Sequence, residues 1–234
     1  MKKLIFCSLL FLGFSAIAQE TYFTTYNFKV ESQNVSAVFG LFDDYYTKNK
    51  PAGVSVYLYE NHFHDSGNDY THSVVFTGTL DAVGKMYAGG DNDSWSLFIT
   101  KLNQLTEDGS SAMMGTRISG FGDNSQKYPF QRYTILNCQD RNAFTGAYNK
   151  INKDHNPVGR FTSMGSISSG AGPDGGNTWV INGFKDFKAA IGGINGLMTD
   201  AQRTARDKAW DEIMPSNGGV TLVRTGMRIL LKEW

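Results

Sequence analysis

Two hydrophobic periods alternate along this chain, and the switches between them outline its elements. Tyr26-Asn27-Phe28-Lys29-Val30 alternates with period two, which reads as a half-buried strand. Asn34 then stands where a helix cap belongs, before Val35, Val38, Phe39 and Phe42, which fall on one helical face. Val54 to Phe63 and Thr71 to Thr77 form a strand pair around the turn-rich His64-Asp65-Ser66-Gly67-Asn68-Asp69-Tyr70. Leu80 to Leu105 is helical, broken at Gly89-Gly90 and restarting at Asp93, the expected cap; Ala112 to Phe121 is a last strand. The same succession then recurs. Tyr133 to Asn137 is a strand, and Asp140 caps a helix with Phe144, Ala147, Tyr148 and Ile151 on one side. Gly159 to Ile167 and Thr178 to Gly183 flank the Gly-rich turn Ser169 to Asn177. A helical region weakened at Gly192-Gly193 restarts at Thr199, where Gln202 completes a capping box, and Val220 to Leu231 closes the chain.

Local echoes support a duplication. Pro51-Ala52-Gly53 returns as Pro157-Val158-Gly159, and Ser73 to Gly78 returns as Thr178 to Gly183. Gly115-Thr116-Arg117-Ile118 returns as Gly226-Met227-Arg228-Ile229, in the same order and at spacings of 105 to 111 residues. The chain therefore reads as α+β, with two tandem β-α-β-β-α-β ferredoxin-like repeats, 19–122 and 128–234, joined by the linker 123–127. Each repeat leaves one sheet face bare, and the two cover each other by packing sheet to sheet.

In element order and duplication the chain resembles the dimeric α/β-barrel superfamily, in a fused, single-chain form. The resemblance covers nearly all of residues 22–234. It implies a fold; members include cofactor-free monooxygenases, haem enzymes, isomerases and non-catalytic binding proteins, so it does not imply one function. The first and last strands of each half are expected to be central.

Composition adds a compartment and removes partners. Lys2 and Lys3, the apolar stretch Leu4 to Ile17 and the small-x-small Ala16-Ile17-Ala18 read as a signal peptide, residues 1–18, with the exported protein, periplasmic or secreted, starting at Gln19. The stretch is short for a membrane span, and Cys7 within it has no preceding small-residue site. With Lys2 and Lys3 gone, a formal charge of 0 becomes a deficit of two, giving no basic footprint for nucleic acid. Cys138 is then the single cysteine, expected buried and inert, without a disulfide. The chain is expected to be a monomer or homodimer.

Candidate chemistry is sparse. His62, His64 and His72 cluster at one hairpin and could hold Zn or Cu, but their spacing fits no established zinc pattern and a polar hairpin tip explains them better. Asp91-Asn92-Asp93 lacks the other EF-hand positions and reads as a helix cap. Haem needs an axial ligand, often His, and residues 184–216 contain none, so no cofactor is expected. Arg117 and Arg228 occupy matching places, Arg224 shares a strand face with Arg228, and Arg132 lies in a neighbouring strand. These arginines are expected between the sheets, paired with Glu60 or forming a carboxylate pocket. Tyr57, Tyr59, Trp95 and Trp179 are candidates to line a cleft between helices and sheet. The leading expectation is an exported small-molecule-binding protein. The alternatives are a cofactor-independent monooxygenase or isomerase for a phenolic or quinone-like substrate, and a structural protein without a pocket. An Asn–Trp or carboxylate–His group inside one cleft would favour the enzyme.

Overall fold

The structure, a computed structural model, describes residues 20–64, 67–90, 92–172 and 175–234. The expected signal peptide, its cleavage point at Gln19 and the loop residues Asp65, Ser66 and Asp91 lie outside the described residues. The first half runs β1 (Thr21–Val30), α1 (Val35–Asn49), β2 (Val54–Phe63), β3 (His72–Gly78), α2 (Leu80–Ala88), α3 (Asp93–Leu105) and β4 (Thr106–Phe121). The second runs β5 (Phe130–Cys138), α4 (Arg141–His155), β6 (Arg160–Ser169), β7 (Thr178–Phe184), α5 (Phe187–Gly192), α6 (Asp200–Ile213) and β8 (Val220–Glu233).

The capping chemistry explains most of the helix starts. Asp140 accepts from the Ala143 amide, and Thr199 and Gln202 form the expected capping box. Two expected caps differ. Asn34 ends a 3-10 turn and gives its amide to the Leu105 carbonyl instead. α3 is capped by Asn92, which accepts from the Trp95 amide, and Asp93 is its first residue. β4 also begins six residues before the expected Ala112, because Thr106 to Ser111 pair with the end of β1.

The eight strands close an antiparallel barrel in the order β1-β3-β2-β8-β5-β7-β6-β4. This is the dimeric α/β-barrel fold in single-chain form. Within the halves the orders are β4-β1-β3-β2 and β8-β5-β7-β6, so the pairing pattern repeats. The first strand of each half is central, as expected, but the last is not. β4 and β8 are edges, and the third strands β3 and β7 take the inner places. The reason is the crossover: a strand–helix–strand unit leaves its strands parallel with a gap, and the hairpin strand fills that gap antiparallel. Each bare edge then pairs with the other half, β4 with β6 and β2 with β8. Exchanging the halves preserves the cyclic order, so the pseudo-twofold runs along the barrel axis, and equivalent residues sit at equal depth on opposite walls.

Period-two alternation now has two destinations. In β2, Val54, Val56 and Leu58 face outward into the core formed with α1 and α3, among Val38, Phe42 and Phe98. The alternate positions enter the lumen. There Phe23 of β1 meets Trp179 of β7 edge-on at 5.6 Å, although two strands separate β1 from β7 in the wall. Gly165 makes room for that indole, since a Cβ there would stand 2.4 Å from it.

Candidate functional site

The outer face of the second half's sheet does not pack fully against its helices. A cavity of about 830 Å³ lies between them. Leu136, Val180 and Met227 form its floor, and Phe144 and Tyr148 of α4 and Trp210 of α6 its walls. Into this apolar space come three arginines, Arg132, Arg160 and Arg206, and at its edge His64 from the first half's hairpin. No Asp or Glu is among the described residues lining it.

Arg160 opens β6 directly after the Pro157-Val158-Gly159 echo. It shares the outward face with Thr162 and Met164, so the strand register carries it beneath α4. It is 6 % exposed. Its Nη1 donates to Asn152 Oδ1 at 2.9 Å and Asn156 Oδ1 at 2.7 Å, its Nε to Asn182 Oδ1 at 3.1 Å, and its Nη2 to Thr162 Oγ1 at 3.2 Å. Every acceptor is neutral. Burial therefore pulls its pKa down to about 10; Tyr148 opposes this and the nearby Arg206 adds to it. Tyr148, whose hydroxyl meets Thr162 Oγ1 at 2.8 Å, is pushed up to about 12, again mainly by burial.

Arg206 reaches the cavity from α6. Its guanidinium lies 5.1 Å from the ring centroid of Trp210, one helical turn on. Its Nε is buried without a hydrogen-bond partner, and burial lowers its pKa, with Asp207 opposing. Arg132 is exposed at the edge, beside the break between α5 and α6. Gly193 makes this approach possible: its φ is +61°, and a Cβ there would stand 2.9 Å from Arg132 Nη1. The sequence weakness at Gly192-Gly193 is thus a backbone requirement at the cavity edge.

The other sequence candidates scatter. Arg117 of β4 and Arg228 of β8 both enter the lumen, but they turn to different neighbours, Arg117 to β6 and Arg228 to β5 and β2. Arg117 Nε donates to Ser163 Oγ at 3.0 Å and its guanidinium lies 5.6 Å from the Phe161 ring; Arg228 Nε donates to Gln131 Oε1 at 3.0 Å and stacks 4.0 Å from the Tyr59 ring. Burial lowers the Arg228 pKa. The expected partner Glu60 does not reach either of them. It sits one residue out of phase with Tyr59, and its Oε1 meets His62 Nδ1 at 2.7 Å. Tyr57 and Tyr59 stack at 6.2 Å on the lumen side, and Trp179 also lies there, so these three do not line the helix cleft as anticipated. Trp95 does lie between helices and sheet, in the first half. Arg224 Nη2 reaches the Gly67 carbonyl at 3.4 Å.

The histidines are not gathered into one donor set. His72 is 3 % exposed and faces outward into the core, stacked on Phe28, with Nδ1 2.9 Å from Thr71 Oγ1; burial lowers its pKa. His62 packs edge-on against Phe63 and Phe187, while His64 points to the cavity. Among the described residues no three His, Cys, Asp or Glu side chains form a metal-holding group. Cys138 is buried and free, and burial raises its pKa, so it stays a thiol. The superfamily that the sequence resembles includes haem enzymes, so the fit to haem can be tested. The covering helices α5 and α6 offer no His, Cys or Tyr, Tyr148 is engaged with Thr162, and His64 lies on the hairpin at the edge. These residues do not fit a haem-iron site.

Sequence reasoning missed Arg160 and Arg206. One signal was available for the first: Asn152 falls one turn after Tyr148 on the apolar face of α4, a polar group where only a buried partner justifies it.

No family model matches this sequence, and no curated protein matches it. Solved structures match by fold. A candidate monooxygenase from Fusobacterium nucleatum has a TM-score of 0.60 at 15% identity, covering 93% of this chain and 95% of its own. A second candidate monooxygenase, from Lactobacillus acidophilus, gives 0.57 at 12%, with 92% and 100% covered. A mutant chlorite dismutase from Candidatus Nitrospira defluvii gives 0.51 at 10%, with 91% of each chain covered. At these identities the likeness concerns the fold alone.

Proposed function

We propose that this is an exported small-molecule-binding protein whose ligand is an organic anion with an apolar, aromatic body, held in the cavity of the second half. One observation carries this reading. Among the described residues, Arg160 is buried among neutral acceptors beside Arg206, whose Nε has no partner, and no carboxylate lines the space. Two neighbouring cations in an apolar cavity repel each other, and no carboxylate among the described lining residues offsets them, which is costly. A ligand carboxylate would supply the missing charge and accept from the free donor, while Trp210, Phe144 and Tyr148 would cover its rings. Export rests on the N-terminal pattern and predicts Gln19 as the first residue of the secreted form; N-terminal sequencing that starts at Met1 would contradict it.

The test is a thermal melt with a panel of aromatic carboxylates and their amides. A ligand at 100 times its Kd adds about 2.7 kcal/mol. The carboxylates should stabilise and the amides should not. Equal shifts from both, or none across the panel, would refute the anion site.

A second reading, oxygenation of that ligand without a cofactor, is favoured by the meeting of Asn152, Asn182 and Trp210 in one cavity. Against it, both amide oxygens are already committed to Arg160. Oxygen uptake with phenolic or anthrone-type substrates, absent in Trp210→Leu, would support it.

A further inference from the structure

The first half has its own cavity, and its chemistry is the reverse. About 990 Å³ lie between the outer face of β1 and β3 and the helices α1, α2 and α3. The walls are aromatic: Trp95 stacks on Phe98 at 5.4 Å and 24°, Tyr45 lies 4.5 Å from Phe98, and Tyr26 and Tyr87 stand at the rim. Among the described residues no arginine lines it, and the one lysine that does, Lys85, is exposed on α2. Two carboxylates, Glu107 and Asp108, do.

Those carboxylates arrive through a break in the strand ladder. Phe28 pairs with Ser110 but Val30 with Thr106, so β4 carries extra residues there, and Gly109 takes φ +94°. Such bulges re-aim side chains. Glu107 is bonded to Lys29 at 2.7 Å, whereas Asp108 has no ion pair among the described residues. The hydroxyls at the rim point the same way. Tyr87 donates to Thr24 Oγ1 at 2.9 Å, so the 2.7 Å contact between Tyr26 and Tyr87 must be donated by Tyr26. That leaves the Tyr26 oxygen with acceptor capacity only.

We propose that this cavity is a second ligand site, for a protonated aromatic amine. The ring system lies against Trp95 and Phe98, and the ammonium sits at the bulge by Asp108. Aromatic faces attract cations, and the unpaired carboxylate and the accepting hydroxyl both seek N–H donors. An anion, the class suited to the other cavity, would meet like charge here. The inference is independent of the anion site, because the two cavities share no residue.

Calorimetric titration of the exported chain with naphthylmethylammonium, naphthol and naphthoate tests it. The ammonium compound should bind, more weakly as salt rises, and Asp108→Asn, which keeps an acceptor oxygen but removes the charge, should weaken it by up to about fivefold, the worth of an exposed ion pair. Trp95→Leu should weaken it as well, and Arg206→Met should leave it unchanged. Asp108 is exposed, so its variant should fold even if Trp95→Leu does not. Failure to bind the ammonium compound overturns the proposal. So does binding insensitive to Asp108→Asn, equal binding of naphthol, or loss through Arg206→Met, which would place the amine in the other cavity. Naphthoate reports separately on the anion site.

Discussion

Replacing Arg206 by Met should do opposite things to the empty and the loaded protein. Met keeps an apolar stem of similar reach, so the covering of Trp210 is largely retained. The buried Nε without a partner disappears, and an unsatisfied buried donor costs about 1–3 kcal/mol. Repulsion toward Arg160 also goes. Against this stands the stacking on Trp210, worth about 0.5–1 kcal/mol for a partly exposed cation–π contact. The balance favours the variant without ligand by roughly 0.5–2 kcal/mol. For a chain of this length that is a rise in melting temperature of about 2–4 °C per kcal/mol. With an aromatic carboxylate the sign reverses. A hydrogen bond to a charged group contributes about 1.5–3 kcal/mol, so affinity should fall by roughly 10- to 150-fold. Thermal melts and calorimetric titration of both proteins read both quantities. A variant that melts well below the parent without ligand, or one that binds carboxylates as tightly, would refute the idea that Arg206 waits for an anion.

Arg228→Met should change stability by about 1 kcal/mol or less in chemical denaturation, since it loses a stack on Tyr59 and a bond to Gln131 but breaks no ion pair. A loss of about 3–5 kcal/mol would reveal the broken buried pair that the structure does not show. His72 binds a proton less readily folded than unfolded, because burial lowers its pKa. The unfolded chain therefore holds more protons below about pH 6.5, and stability falls with acidification by at most about 1.4 kcal/mol per pH unit from this group. Urea melts of His72→Gln between mildly alkaline and mildly acidic pH should show a shallower fall than the parent; an identical slope would clear His72 of that role. Gly193→Ala should cost about 1–2 kcal/mol through its left-handed backbone and should also displace Arg132, lowering carboxylate affinity in the same titration. Unchanged binding would remove Arg132 from the site.

How much of this was legible in the chain depends on distance along it. The order of strands and helices followed from apolar spacing, and the capping at Asp140 and Thr199 from a few adjacent residues. The repeat of the strand order in both halves was visible as an echo, and the barrel pairing repeats it. These features are local or repeat at a fixed interval, so side-chain pattern alone determines them. Which face of a strand meets helices and which meets the lumen is different. Period two places Tyr57 with Tyr59 and Val56 with Leu58, but both faces of this sheet are covered, one by helices and one by the opposite wall. Alternation cannot then tell them apart, and Tyr57, Tyr59 and Trp179 went to the lumen. Only barrel closure decided that β4 and β8 are edges that join the halves, because exposed ladder groups find partners far off in sequence. The anion cavity depends on tertiary structure even more. Arg132, Arg160 and Arg206 come from β5, β6 and α6, and Asn182 of β7 helps hold Arg160. No pattern within any one of those segments announces a site; it exists because the packed second half places two cations in one apolar space, with no acid among the described residues lining it.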